Sequence, residues 1–247
     1  MQLQDLQLRS GDAAARAPRR LSPASGETVA LPLLVSNVVK RWRGAPQPVL
    51  AGVSLALAPG TCTWIGGRNG AGKTTLLRIV AGVIEPDSGQ VQAFELDWRR
   101  QRSRYQRLVS YLPAGDRGLY ARLTVRAQLE FCGRIALIES RRLRVAVAEA
   151  IERFELGELA ERRVDRLSMG QRQRVRLAMT FLPAPRLVLL DEPVTSLDGE
   201  GAAMLAGAVE ELRGEGGAVL WCSPQPEIDY LRFDASWRLE GGSLVAS

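Results

Sequence analysis

Ten residues a quarter of the way along the chain, GGRNGAGKTT (Gly66–Thr75), constrain its architecture more than any other stretch. Gly67-Arg68-Asn69-Gly70-Ala71-Gly72-Lys73-Thr74 has the spacing G-x-x-x-x-G-K-[ST]. Glycines at these intervals let a loop wrap until its N–H groups converge on phosphate oxygens. The helix that follows points its positive N-terminus at the same place. Lys73 is one of only two lysines in the chain, the other being Lys40, among 33 basic residues. A compact ammonium fits between two phosphates where the wide fork of an arginine does not. Thr74 offers a hydroxyl to Mg²⁺. A glycine-rich turn is the bland alternative. The apolar strand TCTWIGG before the loop and the helical KTTLLRIVAGV after it weigh against that.

The rest of the sequence sets limits on the class. The chain has 247 residues and is 46% hydrophobic, enough for one sizeable core or for one domain with a smaller subdomain. No apolar run reaches the roughly 18 residues of a membrane-spanning helix. The opening MQLQDLQLRS lacks the apolar run of a signal peptide. A cytoplasmic location is therefore expected. Cys62, Cys132 and Cys222 are scattered and form no C-x-x-C pair, so neither a disulfide framework nor a zinc site is suggested. The net charge of +6 comes from arginines spread along the whole chain. A solvated, arginine-rich surface accounts for it, and nucleic acid is not expected as a partner.

Residues 1–30 read as a flexible N-terminal extension, because Ser10 to Glu27 are rich in Ala, Arg, Ser, Gly and Pro. From LPLLVSNVVKRW onward, β-branched strand signals alternate with helical ones. The helix after the glycine loop should end near Gly82. Between about Leu123 and Leu167 the pattern turns helical, with Leu143, Val147, Ile151 and Phe154 on one face. QRQRVRLAMTFL is a further helix stopped by Pro183. RLVLLDE and GAVLWCS read as short strands buried on both faces. Strands alternating with helices predict an α/β fold with a helical insertion.

Three later stretches carry chemistry. LVLLDEP (Leu187–Pro193) places two acids at the end of a buried strand. Asp191 would hold the Mg²⁺ shell, and Glu192 could polarise an attacking water as general base. LSMGQRQR (Leu167–Arg174) is a serine and glycine turn opening a helix, hence a second anion site built from Ser168 and backbone N–H groups. The plain reading there is an ordinary serine cap. SLD (Ser196–Asp198) follows the acids closely.

With these motifs in order, the chain resembles the nucleotide-binding subunit of an ABC transporter from about Leu31 to Glu240. GGRNGAGKTT resembles the Walker A motif, LVLLDE the Walker B motif, LSMGQ the LSGGQ signature and SLD the D-loop. The resemblance implies an α/β fold: a P-loop NTPase core of ABC ATPase type, with an antiparallel β subdomain and an inserted α-helical subdomain. The cassette would span 31–247, with the helical subdomain at about 115–168. It implies ATP and Mg²⁺ as cofactors. ATP would be held by Gly67, Asn69, Gly70, Ala71, Gly72, Lys73, Thr74 and Thr75, with Lys73 and Glu192 catalytic and Thr74 and Asp191 on the metal. Trp42 stands where the family has a tyrosine that stacks on adenine; a core or edge aromatic is the plain alternative. The family works as a dimer with ATP sandwiched between subunits, so Ser168, Gly170 and Gln171 would face a partner's ATP. The implied partners are a second nucleotide-binding subunit, identical or not, and a separate membrane-spanning subunit. The implied location is the inner face of the cell membrane. With about 50 residues after Asp198, no appended regulatory domain is expected.

Two family residues are replaced. YLPA has Ala114 where the family's YLPQ has a glutamine. VLWCSPQPE has Pro224 where the family has a switch histidine, and the chain contains no histidine at all; Gln225 could substitute only in part. Loss of a polar contact aimed at transition-state charge costs ~10²–10³ in rate. The binding parts are therefore intact and the hydrolytic parts incomplete, as in one half of the family's asymmetric heterodimers, although a homodimer that tolerates Pro224 would also fit. The favoured reading is an ATPase subunit powering export, because GLYARLT resembles exporters. The alternatives are an ABC-type ATPase not coupled to transport, and an assembly subunit that binds ATP without turnover.

Overall fold

The computed structural model describes residues 30–226 and 231–247. The extension expected over 1–30 lies outside the described residues except for its last position. The chain runs through β1 (Leu33–Lys40), β2 (Leu50–Leu57), β3 (Cys62–Gly66), α1 (Lys73–Val80), β4 (Ser88–Ala93), β5 (Leu96–Asp97), α2 (Arg102–Leu108) and β6 (Val109–Leu112). It continues through α3 (Val125–Ile135), α4 (Ser140–Arg153), α5 (Met169–Phe181), β7 (Leu187–Asp191), α6 (Gly199–Gly214), β8 (Ala218–Cys222), β9 (Ala235–Glu240) and β10 (Ser243–Ala246).

These strands form two sheets. One is wholly antiparallel, in the order β2-β1-β4-β5. The other has the order β10-β9-β3-β8-β7-β6 and is parallel except for β10 at its edge. The sequence explains the difference. In β3, β7 and β8 every residue is buried, as a parallel strand covered on both faces requires. In β2, Val53, Leu55 and Leu57 are buried while their neighbours are exposed, the signature of a sheet with one wet face.

The period of two along β7 divides its side chains between two cores. Val188 and Leu190 pack with α5, α6 and the α3–α4 pair. Leu187 and Leu189 pack with α1 and the antiparallel sheet. Leu143, Val147, Ile151 and Phe154 lie along the buried face of α4, as their spacing predicts. The helical insertion begins and ends at one place. Val125 N–H donates to Arg162 O at 3.1 Å and Val164 N–H to Leu123 O at 2.9 Å. The fold is thus the α/β architecture expected, a parallel core flanked by an antiparallel sheet and an inserted helical unit.

α6 has no counterpart in the sequence reading. GEGAAMLAGAVEELRG is dominated by alanine and glycine, which carry too little hydrophobic contrast to show a helical period. Its start is legible only from Asp198, whose side chain caps it by accepting the Gly201 N–H at 2.8 Å.

Candidate functional site

Parallel strands deliver their C-terminal ends to one edge of the sheet, where open α/β sheets bind ligands. Here that edge carries the Gly67–Gly72 loop after β3, Asp191 and Glu192 at the end of β7, Ser223–Gln225 after β8, and Pro113–Ala114 after β6. Gly67 and Gly72 have φ of 142° and 110°. A Cβ on Gly67 would lie 2.8 Å from Leu239 O, and one on Gly72 would lie 2.8 Å from Val49 O. Only glycine fits either position. Ala71 N–H closes the loop onto Arg68 O at 3.1 Å, and α1 begins with Leu76 N–H donating to Gly72 O at 2.9 Å. No acidic residue occupies the first turn of α1, so its positive end is left to a ligand.

Lys73 is buried within this loop. Its Nζ donates to Gly67 O at 2.7 Å and Arg68 O at 3.2 Å, which leaves one of its three N–H donors. Thr74 and Thr75 follow on the first turn of α1 and are partly buried, whereas Asn69 and Gly70 are exposed. The carboxylate of Asp191 is buried, and the Tyr111 hydroxyl donates to its Oδ2 at 3.3 Å. Burial, and then the Asp191 charge, push the Tyr111 hydroxyl up to about 12, so it stays protonated and remains a donor. Cys222 lies on β8 between the strands that lead to the two motifs, paired with Ile65 of β3 and Asp191 of β7. Burial raises the pKa of its thiol strongly, Asp191 adds to the rise and Lys73 opposes it. The two motifs are therefore brought to one place.

Glu192 has a φ of 50°, which costs a non-glycine residue of order 1–3 kcal/mol. Its N–H donates to Cys222 O at 2.8 Å, so β8 holds it in this conformation. Ser168 and Gln171 form a capping box at the start of α5: Ser168 Oγ accepts the Gln171 N–H at 3.2 Å, and Gln171 Oε1 accepts the Ser168 N–H at 3.0 Å. A Cβ on Gly170 would lie 3.0 Å from Ser196 O, so the start of α5 rests against the turn after Glu192. Among the described residues no side-chain hydrogen bond joins Ser168, Gly170 or Gln171 to Gly67–Thr75.

Trp42 is 45% exposed, with Lys40 Nζ 5.5 Å from its ring centroid. Lys40 is in turn held by Asp87 Oδ1 at 2.8 Å. Val49 N–H donates to Lys40 O, and Val49 O is the atom that closes on Gly72, so the turn carrying Trp42 is anchored beside the glycine loop.

Further residues on or behind this edge were not singled out by the sequence. Besides Tyr111, Trp64 Nε1 donates to Ser223 Oγ at 2.9 Å, and Ser223 Oγ donates to Gln225 O at 2.5 Å, which fixes the segment around Pro224. On α5, Gln173, Arg176 and Thr180 are buried at helical spacing. A polar stripe on a core-facing line was visible in the sequence and is the signal that marks this group.

The donor set suits a hard cation. Asp191 and Thr74 offer only oxygen, and among the described residues no cluster of three or more His, Cys, Asp or Glu competes for a softer metal.

Residues 50–195 match the ABC transporter family model. The chain is 32% identical over 193 residues to the ABC transporter ATP-binding protein NatA of Bacillus subtilis, covering 78% of each chain. It is 32% identical over 189 residues to the probable multidrug ABC transporter ATP-binding protein YbhF of Escherichia coli; that match covers 76% of this chain and spans about a third of YbhF, 32% of its length. Among solved structures, it is similar to an ATP-binding subunit of an ABC transporter with a TM-score of 0.78 at 23% identity, covering 86% of this chain and 87% of the other.

Proposed function

The chain belongs to the ABC transporter family of ATP-binding proteins, and from that premise we propose that it is the subunit that powers export of a substrate through a separate membrane-spanning protein. Members of this family are ATPases. The observation that carries the reading is the convergence of a buried lysine, a glycine-lined loop and the Asp191–Glu192 pair on one sheet edge.

In this reading residues 31–247 form the cassette, with the helical subdomain at about 115–168. The backbone N–H groups of Gly67–Thr75 bind the phosphates, and the Lys73 ammonium turns from Gly67 O and Arg68 O toward them. Trp42 offers the indole face not covered by Lys40 to the adenine. Thr74 and Asp191 would hold Mg²⁺, which when bound neutralises charge on the phosphates. Tyr111 orients the Asp191 carboxylate. Glu192 accepts a proton from the attacking water, and its strained backbone keeps the carboxylate at the loop edge. Ser168, Gly170 and Gln171, which no side-chain hydrogen bond ties to the chain's own loop, complete the site of a second nucleotide-binding subunit.

A second reading rests on Ala114 and Pro224. Neither side chain supplies a polar atom where the sheet edge meets the water, so this ATP site is the weaker one of an asymmetric pair. Steady-state Mg-ATP hydrolysis by the purified chain, beside Glu192→Gln, separates the two. Turnover that vanishes in the variant establishes a self-sufficient homodimer. ATP binding without turnover rules out the self-sufficient homodimer and fits the asymmetric arrangement, which Pro224→His then tests. Absence of ATP binding sinks both.

A further inference from the structure

Arg176 is the one buried arginine among the described residues, 4% exposed, and none of the described carboxylates lies within ion-pair distance of it. Burial lowers its pKa, with Asp116 acting in opposition, yet a guanidinium stays charged. Its donors go to neutral oxygens. Nε donates to Arg117 O at 3.2 Å, Nη1 to Gln173 Oε1 at 2.5 Å, and Nη2 to Pro113 O. The fork thus spans both ends of the loop that leaves β6 and carries Ala114. Gln173 is also buried, and its Nε2 donates to Pro193 O at 2.6 Å. Pro193 directly follows Glu192. Four hydrogen bonds therefore connect loop 113–117, α5 and the residue after the acidic pair.

Gly115, Asp116 and Arg117 are exposed, so little packing holds the middle of this loop. A solvent-open hollow of about 220 Å³ lies beside it, lined by Tyr111, Pro113, Arg117, Cys132, Arg176 and Met179. An exposed backbone has few apolar contacts to lose when it moves. The hydrogen bonds from Arg176 are what fix it, and a buried charge-assisted network is costly to break in part.

We propose that Arg176 is a positioning residue: its guanidinium clamps residues 113–117 at both ends and, through Gln173, transmits the position of that loop to Pro193 and hence to Glu192. The consequence for hydrolysis rests on reading Glu192 as the base, whereas the clamp does not. Gln173 relays in one direction only: it touches Pro193, while the loop is held by Arg176 itself.

The test uses the full chain and two variants, Arg176→Met and Gln173→Leu. Trypsin cleavage after the exposed Arg117 reports the loop. Hydrogen exchange of the Thr195 and Leu197 amides, which donate to Glu192 O and Val194 O, reports the far end. Arg176→Met is expected to raise both rates about tenfold, the loss of roughly one charge-assisted hydrogen bond. Gln173→Leu is expected to raise exchange at Thr195 and Leu197 while leaving cleavage at Arg117 unchanged. Where the chain turns over ATP, kcat falls about tenfold in Arg176→Met with ATP affinity within about twofold. Arg176→Met that leaves Thr195 and Leu197 protected overturns the relay, and so does a rise spread equally over the amides of α3 and α4. If ATP does not bind at all, the reading of the nucleotide site fails, and cleavage and exchange still decide the clamp.

Discussion

Gly72 shows how much a single residue decides at this site. Its φ of 110° disfavours any L side chain, and a Cβ there would meet Val49 O, a backbone atom that cannot swing away, at 2.8 Å. Gly72→Ala must therefore push the segment entering β2 and the glycine loop apart. A left-handed conformation costs a non-glycine residue about 1–2 kcal/mol before the clash is counted. The expected outcome is a loss of at least about 2 kcal/mol in denaturant unfolding and of ATP affinity beyond about tenfold. Gly70→Ala, where a Cβ meets open space, bears only the φ penalty and is the control. Affinity retained in Gly72→Ala would mean that the loop is not the phosphate site. This loop was legible in the sequence because its chemistry is contiguous: spacing alone lines up glycines, lysine and threonine. Tyr111 with Asp191, 80 residues apart, and Trp64 with Ser223, 159 apart, were not legible, because sheet pairing and not sequence makes them neighbours. Arg176 was visible as a letter but not as a clamp, since its partners are backbone carbonyls, which no sequence distinguishes.

Helix termini carry information of a second kind. Ser168 opens α5 with a capping box, and the same residue is assigned to the partner's ATP. The two roles separate by measurement. Ser168→Ala removes the acceptor for Gln171 N–H and is expected to cost about 1 kcal/mol of stability. Ser168→Asp restores the cap but places a negative charge where a phosphate is expected. Stability recovered with ATP turnover still lost supports the second role, and turnover recovered with stability removes it. Asp198 caps α6 in the same way. The Gly201 N–H, and after it the Arg174 charge, hold its carboxyl below the ordinary 3.8. A lowered pKa means that the folded chain binds the proton less well than the unfolded one. The stability it contributes is fully present above that ordinary value and is lost as pH falls through the lower, folded one. Asp198→Asn is expected to be less stable than wild type at neutral pH and to converge with it as acid protonates the folded Asp198 carboxyl. Parallel unfolding curves across the whole acid range would exclude a contribution from the Asp198 charge, since asparagine keeps the capping oxygen. The long periodic helices α4 and α5 were legible because leucine, valine and phenylalanine contrast with arginine and glutamate. α6 was not, because alanine and glycine pack against the sheet without such contrast.

At the scale of the molecule, the Gly67–Thr75 loop and the capped start of α5 are two separate features: among the described residues no side-chain hydrogen bond joins them, and α5 rests on Ser196. Two copies related by a twofold axis would join each loop to the other chain's serine turn, because a symmetric interface repeats every contact. Complementation tests that geometry directly. Lys73→Met disables the loop and Ser168→Arg blocks the turn, so either variant alone has two broken sites per dimer. In a mixed dimer one site receives both lesions and the other receives neither. If chains pair at random, half the dimers are mixed and each has one intact site of two, so an equal mixture should recover about a quarter of wild-type turnover. Recovery requires that a second copy supplies the turn. If wild type turns over and the mixture stays inactive, loop and turn are served within one chain and the sandwich is wrong. If wild type itself binds ATP without turnover, Pro224→His is the next variant, since it returns a polar group to the end of β8. A gain on the order of 10²-fold would place the deficit in that position, because a polar contact aimed at transition-state charge is worth about that much. No gain would place it in the missing partner, a different chain whose own loop the serine turn of this one completes.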